Sequence, residues 1–251
     1  MKGLAAVARR EIVQHRDIPL AALVAGILAA GAPLLHSGSS SARDIREAAA
    51  AVVALLLAAG VSVALGSSVL AREIATRRIG FDFARPVSAA AIWAGKLGGI
   101  AVLVAGATIA VALPTFLVNR GSVSREIGLI LSSGLAVAIF VLLPVAHAAG
   151  IVFRSRSPWL AADLVLLVVT SGTVALTARF LFQEMALIAV GRGLIALGVF
   201  VLAVVIGAGL AALSRGRTDI RAAHRAFSRV FWPAALAAAV LFAAYARWIA
   251  R

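Results

Sequence analysis

The sequence has no cysteine, one tyrosine and two methionines, and aromatic residues make up only 6% of it. Without cysteine, the chain forms neither a disulfide bond nor a thiolate metal site. So few aromatic side chains provide no platform on which nucleic-acid bases stack, and two methionines are too few for a methionine-lined metal path. These absences exclude disulfide-stabilised, thiolate-metal and base-stacking proteins.

Acidic residues are also scarce, since 10 Asp and Glu accompany 24 Lys and Arg, for a formal net charge of +14. A strongly basic chain can bind nucleic acid, but here the basic residues are divided among short segments between apolar runs. That distribution is typical of cytoplasmic loops in a membrane protein, where Lys and Arg contact anionic lipid. We therefore expect membrane lipid, and no nucleic acid, as a partner.

Apolar residues are what the sequence has in excess. They make up 63% of the chain, and the mean hydropathy is +1.05, which is more than a soluble domain of this size uses. A membrane span needs about 20 mostly apolar residues. The fifth of the runs below reaches that length if it begins near Pro158 and includes Asp163. The runs predict an all-α polytopic membrane protein with six spans and a seventh, at 18–35, 48–71, 97–119, 127–153, 164–178, 193–214 and 230–246.

The orientation follows from the charges between the runs. Lys and Arg on the side that includes the N-terminus outnumber those on the other side two to one, and five of them lie between residues 72 and 96. The excess of positive charge marks the cytoplasmic side, so the N-terminus is predicted to be cytoplasmic. Pro33 near the end of the first run and His36 just after it occupy positions where a signal-cleavage site would need small residues, so no cleavable signal is predicted.

Three segments outside the spans have their own patterns. Residues 1–17 carry apolar side chains at helical spacing and predict an amphipathic helix in the membrane interface; the alternative is a frayed tail. Residues 179–192 are apolar but too short to span, and predict either an outer helical insertion or a continuation of span five or six. Residues 214–229 are read as a basic cytoplasmic loop, and 230–251 as an extra transmembrane helix or an interfacial one.

Patterns of catalytic and metal-binding chemistry are missing from the sequence. The only Gly-Lys pair, Gly95-Lys96, lacks the surroundings of a phosphate-binding loop, and neither GxSxG nor HExxH occurs. The four histidines show no metal-ligand spacing. We therefore expect no catalytic residue and no metal site, so the chain is not predicted to be an enzyme.

Two ionisable residues fall within spans. Asp163 lies about one turn into span five and is expected to pair with Arg154 or Arg156. His147 lies in span four and is expected to form a hydrogen bond with a neighbouring helix, the alternative being a proton or metal role. An ion-coupled transporter usually has carboxylates near the bilayer centre, and the sequence has none there. Any active transport is therefore expected to be powered by another protein.

The charged stretch between spans two and three contains a recognisable series of residues. Span two ends in Ser-Ser-Val-Leu-Ala-Arg-Glu, which is followed by Arg77-Arg78-Ile79-Gly80, by Phe81 and Phe83, by Arg85-Pro86-Val87-Ser88, and by Gly95-Lys96 at the start of span three. This series resembles the signature of the membrane subunits of type-2 ATP-binding-cassette (ABC-2-type) transporters. The matching positions are Glu73, Gly80, Pro86, Ser88, Gly95 and Lys96, and the resemblance covers residues 1 to about 213.

The resemblance implies a fold and a function. The fold is an ABC-2-type permease of six spans in residues 18–213, preceded by an interfacial helix, with a coupling helix at about 72–88 and an outer helical insertion. The implied function is that of a permease subunit of an ABC transporter, an exporter of the bacterial-type inner membrane. Two permeases, identical or different, would pair with two cytoplasmic ABC ATPase subunits. ATP and Mg²⁺ would be bound by the ATPase, with no cofactor in this chain.

The coupling segment is expected to dock into a groove of the ATPase. Its arginines would meet acidic groups, and Ile74 and Ile79, with the two phenylalanines, would form an apolar anchor. Glycine at position 80 would allow a bend, proline at 86 would end the helix, and the glutamate would brace an arginine four residues on. The predicted coupling residues are Arg72, Glu73, Arg77, Arg78, Gly80, Phe81, Phe83, Arg85 and Pro86.

The substrate-binding residues are unknown from the sequence. By the resemblance, spans one, two and five would contact the cargo, and their apolar character favours a hydrophobic or amphiphilic one. Two alternative functions remain open at this point. An ion-coupled secondary transporter or channel would need no ATPase, and a membrane scaffold would bind a cytoplasmic partner without moving a cargo. The residues after 213 depart from the family pattern.

Overall fold

The structure, a computed structural model, describes residues 2–35, 41–76, 78–84, 87–184, 187–216 and 218–249. Within these ranges the chain is helical and contains no β-strand, which confirms the predicted all-α class. The helices are α1 (Lys2–Gln14), α2 (Asp17–Ala30), α3 (Ala42–Ala75), α4 (Gly80–Phe83), α5 (Ala89–Val118), α6 (Arg125–Val137), α7 (Leu143–Ser155), α8 (Trp159–Glu184), α9 (Leu187–Gly216) and α10 (Ile220–Ile249).

Six helical stretches among the described residues are long and apolar enough to cross a membrane, so the chain has the character of a multi-pass membrane protein. They are α3, α5, the stretch Arg125–Ser155 that includes α6 and α7, α8, α9 and α10. These six correspond to the predicted spans two to seven. The last of them, α10, is therefore long and apolar enough to be the predicted seventh span.

The predicted first span, 18–35, differs from the structure. Its helix α2 has only 14 residues, or about 21 Å, and α1 and α2 together pass as a span only as a pair bent by 52°. Two prolines explain this. Pro19 has no N–H to donate to the carbonyl of His15, so α1 does not continue into α2. Pro33 has no N–H to donate to the carbonyl of Ala29, so α2 ends at Ala30 and a 3-10 helix, Ala32–Leu35, follows.

A similar rule explains a break near the middle of Arg125–Ser155. Residues Ala138–Leu142 form a π-helical segment between α6 and α7. Pro144 has no N–H to bond the carbonyl of Phe140. Local i→i+5 bonding compensates for such a missing bond.

The residues of the helical protein divide into two compact units, Met1–Leu70 with Arg85–His147, and Ala71–Ala84 with Ala148–Arg251. In the first unit, α2 packs directly on α5. A side chain on Gly26 would lie 2.5 Å from the carbonyl oxygen of Val111, so the two backbones touch. Ala22, Ala54 and Ala107 complete this core. Small residues allow such close approach between membrane helices.

This contact makes a first prediction. Gly26→Ala should push α2 away from α5 and destabilise the protein by about 1–3 kcal/mol, because the added methyl group has no room. The matched control is Gly60→Ala in α3, where an added Cβ meets no atom within 4 Å and should stabilise the helix slightly. Thermal unfolding in detergent measures both. Equal melting temperatures for the two variants would contradict the packing described.

Helix α1 is also held against α5 in the first unit. A Cβ on Gly95 would lie 2.8 Å from the Cβ of Val7, and one on Gly99 would lie 2.9 Å from the carbonyl oxygen of Ala8. Glu11 and Lys96 are both fully buried there, with Oε1 of Glu11 2.6 Å from Nζ of Lys96. Lys96 was counted among the basic surface groups around the central stretch, and this assignment is wrong, since its side chain lies inside the protein. The charge bias between the two sides persists without it.

In the second unit, α10 packs along α9 and α8. The predicted basic loop 214–229 is mostly helical in the described residues, because α9 continues to Gly216 and α10 begins at Ile220. Arg221, Arg225 and Arg229 are exposed at intervals of four, while the positions between them include buried side chains. The charges thus form one face of a helix and do not mark a loop. Of the stretch 179–192, the part up to Glu184 belongs to α8 and the part from Leu187 belongs to α9.

Candidate functional site

The charged segment between α3 and α5 is a compact turn. Helix α3 ends at Ala75, and a single four-residue helix, α4, follows from Gly80 to Phe83. The next long helix begins with a cap, since the hydroxyl of Ser88 accepts a hydrogen bond from the backbone N–H of Ala91 at 3.2 Å. The segment is therefore delimited on both sides by helices of 34 and 30 residues.

The side chains of this turn separate into two groups. Arg72, Arg78 and Phe81 are exposed, and 59% of Phe81 is accessible. Ile74 and Ile79 are at most 1% accessible, so the prediction that they form part of a docking anchor is wrong. Both side chains are inside the protein and not on its surface.

The remaining predicted residues of the turn are either partly buried or outside the described residues. Phe83 and Glu73 are half-buried. Gly80 has a negative φ, since Gly121 is the one glycine at positive φ among the described residues. A Cβ on Gly80 would come no closer than 3.8 Å to Thr218, so the bend does not depend on glycine there. Three predicted coupling residues, and with them the brace from the glutamate to position 77, lie outside the described residues: Arg77, Arg85 and Pro86.

A second polar site surrounds Asp163 in the second unit. Its Oδ1 accepts a hydrogen bond from Nε1 of Trp232 at 2.6 Å, and its Oδ2 accepts one from the hydroxyl of Ser228 at 3.1 Å. The same Oδ2 contacts Nε2 of His224, and Asp163 as a residue is only 7% accessible. Asp163 therefore pairs with α10, and the expectation that it pairs with Arg154 or Arg156 is wrong.

The histidine extends this cluster to the turn between α7 and α8. Its Nδ1 lies 2.7 Å from the hydroxyl oxygen of Ser155. Ser155 also accepts a hydrogen bond from the backbone N–H of Ser157 at 3.2 Å, and between them Arg156 has a φ of 45°. The turn is thus shaped to aim a serine hydroxyl at α10.

The spacing of this cluster was present in the sequence but was not recognised. His224, Ser228 and Trp232 are four residues apart, which places them on one face of a helix. A polar stripe at that interval, opposite a lone carboxylate in another span, is a signal for helix pairing. It was missed because residues 214–229 were read as a loop, so the helical period was not applied across residue 229.

Ser155, His224 and Asp163 are connected in the order of a hydrolase triad. The serine hydroxyl, however, is not accessible to a substrate. Ser155 is 3% accessible, and its oxygen lies 2.8 Å from the carbonyl oxygen of Val152. A nucleophile needs an open face and an oxyanion site, and this hydroxyl is enclosed. The cluster holds α8 and the preceding turn to α10. Among the described residues, no group of three His, Asp or Glu side chains could hold a metal ion.

Each unit contains one further feature, a polar contact in the first and an apolar cavity in the second. In the first unit, Nε1 of Trp93 donates a hydrogen bond to Nε2 of His147 at 3.2 Å, which confirms the helix-to-helix bond expected of this histidine. In the second unit, an apolar cavity of about 470 Å³ lies between α9 and α10, with Arg192 and Tyr245 among its lining residues.

Comparison with known proteins adds no relative, since no protein-family model, curated protein or solved structure matches the chain.

Proposed function

We propose that this chain is the permease subunit of an ABC transporter, an exporter of the bacterial-type inner membrane with a cytoplasmic N-terminus. The observation that carries the proposal is the turn between α3 and α5. It presents exposed Arg72, Arg78 and Phe81, while Ile74 and Ile79 are buried. A surface that combines an aromatic side chain with arginines is typical of docking sites.

The partner that suits this surface is a cytoplasmic ABC ATPase with acidic groups around an apolar groove. The ATPase would bind ATP and Mg²⁺, and this chain would supply no catalytic residue. Because α3 and α5 continue from the turn as long helices, a push on the turn would tilt both of them. A second permease subunit, identical or different, would complete the transport path through the membrane.

The experiment pairs two double variants. Phe81→Ala with Arg78→Ala removes the exposed part of the turn, and Phe153→Ala with Arg154→Ala is a matched control at the end of α7, where 61% of Phe153 is accessible and Arg154 is exposed. Each is co-expressed with a candidate cytoplasmic ABC ATPase and purified. The turn variant should lose at least about tenfold in ATPase affinity, since hot-spot side chains contribute 2 kcal/mol or more; the control should bind as the wild type does.

The outcomes separate the functions considered. ATPase binding with ATP-dependent cargo movement in proteoliposomes supports the proposal. Binding without any movement would indicate a scaffold, and flux driven by an ion gradient without ATPase would indicate a secondary transporter or channel. The docking role of the turn is refuted if both double variants bind the ATPase equally well.

A further inference from the structure

A small cleft lies between the start of α8 and the first half of α10, all within the second unit. Its volume is about 270 Å³. One end is basic and the remainder is largely apolar. The residues around it are Trp159, Ala162, Asp163, Leu166, Arg225, Ser228, Arg229, Trp232 and Pro233.

The basic end consists of Arg225 and Arg229, one helical turn apart on the exposed face of α10. Among the described residues, neither guanidinium takes part in a hydrogen bond or ion pair. Asp163 is the one acidic residue among the described residues that line the cleft, but its two oxygens are already engaged by Trp232, Ser228 and His224. The two arginines are therefore available to an anion from outside the protein.

The rest of the cleft suits an acyl chain. Leu166 and Pro233 supply aliphatic surface, and Trp159, which is 48% accessible, also lines the cleft. Tryptophan is enriched where a membrane protein meets the headgroup level of the bilayer, because its ring is apolar and its N–H is polar. A soluble anion such as phosphate would use the basic end and leave this apolar surface exposed.

We propose that this cleft binds one anionic phospholipid. The phosphate lies between the guanidinium groups of Arg225 and Arg229, which are suited to bidentate phosphate contacts. The first part of an acyl chain lies along Leu166 and Pro233. The site depends on the packing of α8 against α10 and not on an ATPase, so it stands or falls separately from the transport proposal.

The site is supported by the way α10 is built. The buried face of this helix, through His224, Ser228 and Trp232, holds it to α8, while its exposed face carries the arginines at the same interval of four. The polar cluster thus fixes the distance between the arginines and the wall formed by α8. A bound lipid would add contacts to both helices and strengthen their pairing.

The test uses the full chain in nanodiscs made of phosphatidylcholine alone or with phosphatidylglycerol, and in detergent for native mass spectrometry. The wild type should retain phosphatidylglycerol and should melt at a higher temperature when it is present. Arg225→Gln with Arg229→Gln should weaken this binding roughly tenfold or more, at about 1 kcal/mol for each arginine. The control, Arg215→Gln with Arg221→Gln, removes two exposed charges beside the same helix end and should bind as the wild type does.

A third variant separates a lipid from a free anion. Leu166→Trp fills the apolar part of the cleft and keeps both arginines, so it should also lose phosphatidylglycerol. Inorganic phosphate and glycerol phosphate should not displace the lipid from the wild type. Equal lipid loss in the two arginine pairs would overturn the proposal in favour of general charge attraction, and displacement by inorganic phosphate would overturn it in favour of an anion site. Should Leu166→Trp fail to fold, the arginine pairs and the phosphate competition still decide the matter.

Discussion

Asp163→Ala is expected to destabilise the second unit by about 3–5 kcal/mol, because it removes the carboxylate from a buried pair and leaves three donors without an acceptor. The groups affected are Nε1 of Trp232, the hydroxyl of Ser228 and the imidazole of His224. For a chain of this size the loss corresponds to a fall in melting temperature on the order of 10 °C. Thermal unfolding of the purified protein in detergent measures it.

A graded series makes this prediction specific to the cluster. Asp163→Asn keeps one carbonyl oxygen as an acceptor and should lose less stability than alanine. Asp17→Ala removes an exposed acid at the start of α2 and should cost less than about 1 kcal/mol. If the three variants melted together, the hydrogen bonds to α10 would contribute nothing measurable to stability.

The second large effect is expected at the ion pair between α1 and α5. Lys96→Met leaves the carboxylate of Glu11 buried without this cation, and Glu11→Leu leaves the ammonium without this carboxylate. Lys96→Met is expected to cost about 3–5 kcal/mol, since a buried carboxylate whose partner is removed retains its desolvation penalty. Glu11→Leu is expected to cost less, because Lys96 has a further interaction in the structure. The two side chains are 1% accessible or less, so solvent does not relieve that penalty.

The double variant is the decisive member of this cycle. Glu11→Leu with Lys96→Met replaces the pair by apolar side chains of similar size and should recover most of the stability lost by either single variant. Thermal unfolding of all four proteins gives the coupling energy. Additive losses would mean that the two groups do not interact, contrary to the 2.6 Å separation of their charged atoms.

This pair also gives a physical reason for part of the sequence signature. Gly95 lets α1 approach α5. The next residue, Lys96, forms an ion pair with Glu11 of α1. The Gly-Lys pair therefore holds the N-terminal helix on the first unit in this structure. In the sequence the pair was noticed only as part of the family signature. Its partner was not foreseen, because Glu11 and Lys96 are 85 positions apart and no local pattern connects them.

The candidate sites were foreseen to different degrees. The turn between α3 and α5 was located from its charges, because a charged island between two apolar runs must lie at a membrane surface. Which of its side chains faces outward was not foreseen, since Ile79 and Phe81 are two residues apart and equally apolar by type. The cluster at Asp163 was missed as a cluster, although its acid was noticed, because its partners lie more than 60 residues away.

The sequence alone determined the helical class, the membrane character and the position of most spans, because a bilayer requires long apolar runs whose backbone groups bond within the same helix. Helix ends near Pro19 and Pro33 obey equally local rules. The tertiary structure alone decided which polar side chains are paired and which arginines stay exposed. Those outcomes depend on the rotation of one helix against another, and residues distant in sequence set that rotation through packing of small side chains and buried hydrogen bonds.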